Sequence, residues 1–190
     1  MRQLSLFSAD TSAPAIADLA GLLAGAGQVA LALRGGARLS AVVEDSWRAD
    51  LIAEMITECG FQAEVAQSGE GRPLVRTDVS PLLTRLALNW TRGAVKSVPT
   101  SFVPTSRALR MWAYATGRAD GSDRFFFGLD PHAPQTHDPL ARSLMRAGMA
   151  ATLVGARGSA PGLRITGRRR LAKLLDAIGE PPEASGWDEL

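Results

Sequence analysis

The feature that most constrains this chain is a small-residue segment that occurs twice. Leu19-Ala20-Gly21-Leu22-Leu23-Ala24-Gly25-Ala26-Gly27 is apolar, dense in glycine and alanine, and ends in a glycine ahead of strand-like sequence. Gly21 and Gly25 lie four apart, as do Ala20 and Ala24, which puts a flat stripe along one side of a helix. Such a stripe lets a second helix approach until the backbones nearly touch. Ala113-Tyr114-Ala115-Thr116-Gly117-Arg118-Ala119-Asp120-Gly121 repeats the spacing through Ala113 and Gly117 and again ends in glycine. The two segments predict a pair of helices packed at the centre of a pseudo-symmetric protein.

The flanking sequence supports a duplication. A first helix is expected over residues 12–25 with Pro14 in its first turn, then a hairpin of 29–33 and 38–43 turned at Arg34-Gly35-Gly36-Ala37. Ser46 caps a helix over 47–58 that Gly60 ends. Residues 61–66 and 73–77 form a second hairpin, and Ser80-Pro81 opens a third helix through Leu88. Residues 89–104, with Pro99 and Pro104, read as a linker that Trp90, Val98 and Phe102 hold against the body. The order then recurs: a helix from Thr105-Ser106 to Thr116, a strand over 124–129, a helix from Asp138-Pro139 to Gly148, strands over 149–154 and 163–166, and a closing helix over 168–178. Gly27 falls opposite Gly121, Gly60 opposite Gly148, Thr77 opposite Thr166 and Leu82 opposite Leu171. The loop 130–137 stands where a second strand of the hairpin belongs, and its prolines oppose a ladder. His132 and His137 lie there beside Asp130 and Asp138, at a spacing that matches no common zinc pattern and reads as a loop with incidental histidines.

With the segment at 19–27, this repeat order and the closing phrase Leu163-Arg164-Ile165-Thr166-Gly167 through Leu171, the chain resembles the LAGLIDADG homing endonuclease fold over residues 12–88 and 105–179. The resemblance implies an α+β protein of two αββαββα repeats, with the motif helices at the centre and two four-stranded sheets forming a saddle over duplex DNA. Strand arginines would then face DNA: Arg34, Arg38, Arg72 and Arg76 in the first repeat, and Arg124, Arg157 and Arg164 in the second, with Arg168, Arg169 and Arg170 adjoining them. In that family the last aspartate of each motif copy holds divalent metals that hydrolyse phosphodiesters, a task that needs hard oxygen ligands. Here Ala26 takes that position in the first copy and only Asp120 remains in the second. No metal site, no cofactor and no double-strand cleavage are expected; Asp120 is a turn residue, or the lone carboxylate of a residual nickase. Cleavage-dead relatives of the WhiA type are transcription regulators with an added helix-turn-helix, and no such module is expected after Gly179.

Charge points the same way. The net charge is only +2 and the pI near 9.2, but residues 79–119 and 139–175 contain no acid and are studded with arginine. Segregated positive charge fits a polyanion, most often nucleic acid. At the amino end, Gln3-Leu4-Ser5-Leu6-Phe7 resembles the pentapeptide by which bacterial DNA polymerases and repair proteins bind the replicative sliding clamp (the beta clamp). That implies an amide fixing register at Gln3 and two apolar anchors, Leu6 and Phe7, from a flexible segment of residues 1–11. A strand or staple covering the protein's own core is the other reading of the same residues. At the other end, residues 180–190 read as an exposed tail, with Trp187 among acids marking a frayed terminus or a second binding peptide.

One cysteine, Cys59, rules out an internal disulfide and fits a reducing compartment. No signal peptide or membrane span is expected, because Asp18, Gln28 and several glycines interrupt the apolar run at 16–33. The expectation is thus a cytoplasmic, nucleoid-associated monomer, whose second repeat replaces a partner subunit. It would bind double-stranded DNA without cutting it and bind the clamp through its N-terminal peptide, in replication or repair. A transcription regulator without a clamp role, a magnesium-dependent nickase using Asp120, an RNA-binding maturase-like protein and a protein-only adaptor are the competing classes.

Overall fold

A computed structural model of the chain describes residues 8–155 and 160–187. The first repeat opens with a 3-10 turn, Ile16–Leu19, that runs into α1 (Ala20–Ala24). It continues through β1 (Gln28–Leu31), β2 (Ala37–Val42), α2 (Ser46–Glu58), β3 (Ala63–Gln67), β4 (Pro73–Thr77) and α3 (Thr84–Trp90). A short hairpin, β5 (Thr91–Arg92) and β6 (Val95–Lys96), bridges to the second repeat. That repeat comprises α4 (Ser106–Thr116), β7 (Gly117–Ala119), β8 (Arg124–Gly128), α5 (His137–Arg146), β9 (Thr152–Val154), β10 (Gly162–Thr166) and α6 (Arg168–Ile178). The two antiparallel sheets have the same order, β1-β2-β4-β3 and β7-β8-β10-β9. The architecture is α+β, with two αββαββα repeats.

Alternation on each strand divides the sheets into two faces. Ala37, Leu39, Ala41 and Val75 point inward from the first sheet, and Phe125, Phe127, Leu163 and Ile165 from the second, all buried. They join the helices in one continuous core, in which α1 and α4 cross at the centre. The crossing is as close as the glycines allow: a Cβ on Gly21 would stand 2.1 Å from the carbonyl oxygen of Ala108.

The ladders fix how the repeats correspond, and they move the second motif copy. Gln28 pairs with Ser40, which pairs with Arg76; Arg118 pairs with Phe126, which pairs with Arg164. Gln28 is therefore the equivalent of Arg118, and Gly27 of Gly117 rather than Gly121. The true second copy is Leu109-Arg110-Met111-Trp112-Ala113-Tyr114-Ala115-Thr116-Gly117. Thr77 likewise corresponds to Ile165, one residue before Thr166. Gly60 and Gly148 do correspond, each with positive φ and each closing a helix in the same way. Because Gly117 already starts β7, the hairpin of the second repeat is β7–β8, and the loop at 130–137 is a connection into α5 rather than a failed strand.

Local starts also shift. The first helix begins at Ile16, not Ser12, because Asp18 turns inward: its carboxylate accepts from Ala15 N at 2.8 Å, Thr105 Oγ1 at 2.9 Å and Arg107 Nε at 3.1 Å. Pro14 stays outside the helix. Asp45, in extended geometry, is the N-cap of α2, one residue before Ser46. Ser80 and Thr105 cap as their sequences predict, accepting from Leu82 N and Ala108 N.

Both ends of the described chain belong to the body. Ala9 is fully buried and bonds Ala177 O at 2.8 Å, and Asp10 pairs with Arg110, so residues 8–11 are part of the fold and not of a separate segment. Trp187 is also buried, among Trp47, Tyr114 and Phe125, which corrects the expectation of an exposed tail. Among the described residues, no helix is long and apolar enough to cross a membrane.

Candidate functional site

The candidate site is the region where the motif helices end and the outward faces of the sheets begin. Helix C-termini leave carbonyls unpaired and carry partial negative charge. Each end here is met by a cation from elsewhere in the chain. At the end of α4, Arg48 from α2 donates to the carbonyls of Ala113 (3.3 Å), Tyr114 (2.8 Å) and Gly117 (2.8 Å), while its Nε pairs with Asp45 at 3.0 Å. At the end of α1, the ammonium of Lys96 donates to the carbonyls of Gly25 (2.7 Å) and Gly27 (2.8 Å) and pairs with Asp130 at 3.3 Å. Burial pushes the pKa of Lys96 below the usual lysine value, against the opposing pull of Asp130.

The last motif position holds Ala26 in the first copy and Thr116 in the second. Ala26 offers no ligand. The Thr116 hydroxyl donates to Gly128 O at 3.0 Å and its methyl packs toward Gly25. The residues at the helix ends do not fit a divalent ion, because the motif carboxylates are absent and the Gly25 and Gly27 carbonyls already accept from Lys96. Asp120, expected at the motif position, sits beyond β7 in the β7–β8 turn. Its carboxylate accepts from Arg164 Nε at 2.6 Å and its carbonyl from Arg124 Nε at 2.8 Å. The His137 ring bonds the Asp130 carbonyl at 2.8 Å and is buried; His132 contributes its backbone N–H to the Asp130 carboxylate. Among the described residues, no group of three histidine, cysteine or acidic side chains is arranged to hold a metal.

The outward sheet faces carry part of the expected arginine set. On the first sheet, Arg38 is exposed, while Arg76 lies across from Glu64 and donates to it twice at 2.9 Å, which holds the Glu64 carboxyl below its usual range. Arg34 is exposed in the β1–β2 turn, and Arg72 pairs with Glu70 at 2.7 Å. On the second sheet, Arg118, Arg124 and Arg164 cluster around Phe126. The guanidinium of Arg118 lies 3.9 Å over that ring, and the ring in turn lies on Gly162, where a Cβ would meet it at 2.0 Å. Arg168, Arg169 and Arg170 are exposed on the first turn of α6, in the helical layer rather than on a strand. Gln3, Leu4, Ser5, Leu6, Phe7 and Arg157 lie outside the described residues.

Three residues that matter here escape the sequence reading: Arg48, Lys96 and Arg118. Lys96 stands in a linker that also carries Arg92, so the sequence marks it only as one of the chain's two lysines, with Lys173. Arg118 sits directly after the true motif glycine, a position visible only once the register is right.

No protein-family model and no curated protein matches the chain. Solved structures do. The homing endonuclease I-WcaI bound to its DNA recognition sequence superposes with a TM-score of 0.64 at 12% identity, over 91% of this chain and 84% of that one. The N-terminal LAGLIDADG domain of DUF199/WhiA gives 0.60 at 13% identity, again over 91% and 84%. Full-length DUF199/WhiA from Thermatoga maritima gives 0.59 at 14%, over 91% of this chain but 57% of that one. At such identities the likeness speaks for architecture, and it agrees with the strand orders and the crossed motif helices: this chain has the LAGLIDADG fold.

Proposed function

We propose that the protein binds double-stranded DNA on its paired sheets without cutting it, and is brought to the replicative sliding clamp by Gln3-Leu4-Ser5-Leu6-Phe7. The observation that carries the DNA reading is the outward cluster of Arg118, Arg124 and Arg164 on a saddle fold shared with an endonuclease captured on its recognition sequence. The non-catalytic reading rests on Ala26 and Thr116 at the last motif positions and on Asp120 being engaged by arginine. Several strand arginines are already paired with carboxylates, so phosphate contacts require those pairs to exchange partners. Affinity then comes chiefly from electrostatics and counterion release.

Gel shift on a duplex at two salt concentrations tests this. Raising salt from 50 to 200 mM is expected to weaken binding by at least an order of magnitude, with no nicking in magnesium. Absence of any shift at low salt refutes the DNA reading and leaves a protein adaptor, which the small and apolar outward residues Ala30, Ser40, Val42 and Leu74 of the first sheet would suit.

Clamp binding is tested separately, by titrating clamp against wild type and a Leu6→Ala/Phe7→Ala variant. Two buried apolar anchors of this kind dominate a short-peptide interface, and a loss of at least ~30-fold is expected. Equal affinity of the two proteins discards the clamp role. Thermal melts of the two proteins are the control: an unchanged midpoint assigns a loss of affinity to the clamp contact, and a lowered one assigns Leu6 and Phe7 to a staple over the protein's own core.

A further inference from the structure

The end of α1 is a cage of oxygen atoms closed around a cation that belongs to the chain itself. Three oxygens surround the Lys96 ammonium: the carbonyls of Gly25 and Gly27 at 2.7 and 2.8 Å, and the Asp130 carboxylate at 3.3 Å. An ammonium has three donors, so its capacity is filled. The Lys96 side chain is 8% exposed and that of Asp130 4%. The same carboxylate accepts from Gln28 Nε2 at 2.7 Å and from His132 N at 2.9 Å. Gln135 Nε2 donates to the Lys96 carbonyl at 2.8 Å and so holds the strand that carries the lysine.

Two carbonyls and a carboxylate are hard oxygen ligands of the kind that divalent ions of the calcium and magnesium class take. In this fold family the divalent ions sit at the motif-helix ends, where the sequence resemblance places them. We infer that Lys96 is a built-in replacement for such an ion: its ammonium fills the oxygen cage, ties the first motif helix to the loop after β8, and keeps metal out. A divalent ion could enter only by displacing the lysine, since two cations in so buried a space repel without screening. The lysine delivers its charge with no dependence on metal supply, and the junction between the repeats is permanently closed. This inference concerns the junction alone and holds whether or not the sheets bind DNA.

The test is to empty the cage. Thermal unfolding of the full chain is followed in chelator and in millimolar Ca²⁺, Mg²⁺ or Mn²⁺ for wild type, Lys96→Ala and Lys96→Ala/Asp130→Asn. The wild-type midpoint is expected to be the same in all buffers. Lys96→Ala should melt lower in chelator and recover by roughly 5 °C with at least one of the metals, as ligand linkage at saturating concentration implies for a chain of this size. The double variant should not recover, because the carboxylate is gone. A Lys96→Ala protein indifferent to all three metals overturns the inference, as does a wild type with the same metal response. Should Lys96→Ala fail to fold, the wild type carries the test: the ε-ammonium of Lys96, labelled with ¹⁵N, should exchange slowly and keep its signal in millimolar Mn²⁺. Paramagnetic loss of that signal at low Mn²⁺ means that metal reaches the cage, and the inference fails.

Discussion

Gly21→Ala, the addition of one methyl group, is expected to cost roughly 4 kcal/mol or more and to lower the melting midpoint by about 10 °C, if the protein still folds. The added Cβ would stand 2.1 Å from Ala108 O, 2.8 Å from Met111 Cβ and 2.9 Å from Trp112 N. Two of those atoms are backbone, so no rotamer change relieves the overlap; α4 as a whole must back away from α1. It is poorly placed to do so. Arg48 holds its C-terminal carbonyls, and Arg107 near its start is bound to Asp18 and Glu58. Overpacking of side chains ordinarily costs 1–3 kcal/mol, roughly, and a clash with main chain exceeds that. Typical domains have only about 5–15 kcal/mol in hand. Gly69→Ala is the control: nothing lies within 4 Å of the added methyl and φ there is not positive, so its midpoint should stay within about 1 °C of wild type. If Gly21→Ala melts like the control, the close crossing of the motif helices is wrong.

The same contact explains how much of the protein was legible in its sequence. The element order of the first repeat, the turns at Gly60 and Gly148, the strand from Pro73 to Thr77 and the cap at Thr105 follow from local chemistry, and the structure has them where that chemistry predicts. The central register does not follow from local chemistry. A search for a second small-residue stripe finds Ala113 and Gly117, but the helix opposite Gly21 presents Met111 and Trp112. The two copies are complementary rather than alike, with a large residue on one helix filling the space that glycine leaves on the other. Similarity therefore points four residues too far along and makes Asp120 look like a surviving motif aspartate. Strand pairing, a long-range property, is what restores the register. The cations at the helix ends were hidden for a related reason. Arg48 and Lys96 look like ordinary surface charges in sequence, and only the fold brings each to a helix end in the opposite half or across the linker. Without them, exposed helix carbonyls and two absent aspartates would leave the centre of the molecule without the positive charge that its geometry calls for.

Trp187→Ala should be the other costly substitution, at about 3–5 kcal/mol, the usual range for deleting a buried tryptophan. Its ring is 2% exposed and sits between the repeats. Trp47, from α2, meets it edge-on at 6.4 Å, Tyr114, from α4, stacks at 6.2 Å, and Phe125, from β8, meets it edge-on at 5.2 Å. The guanidinium of Arg48 lies 4.5 Å over the Trp47 ring, so the cage around Trp187 also shapes the residue that closes the end of α4. Deletion of the indole should therefore loosen α4 and α2 together, and hydrogen exchange at the last turn of α4 should rise along with the fall in midpoint. Trp187→Phe separates packing from hydrogen bonding. The Trp187 Nε1 is buried with no partner among the described residues, so removing it relieves a desolvated donor while most of the ring contacts remain. Trp187→Phe is expected to lose less than half of what Trp187→Ala loses, by chemical denaturation with an unchanged slope. Wild-type stability in Trp187→Ala would mean that the C-terminal segment does not close the core, and that the repeats are held together by α1, α4 and the linker alone.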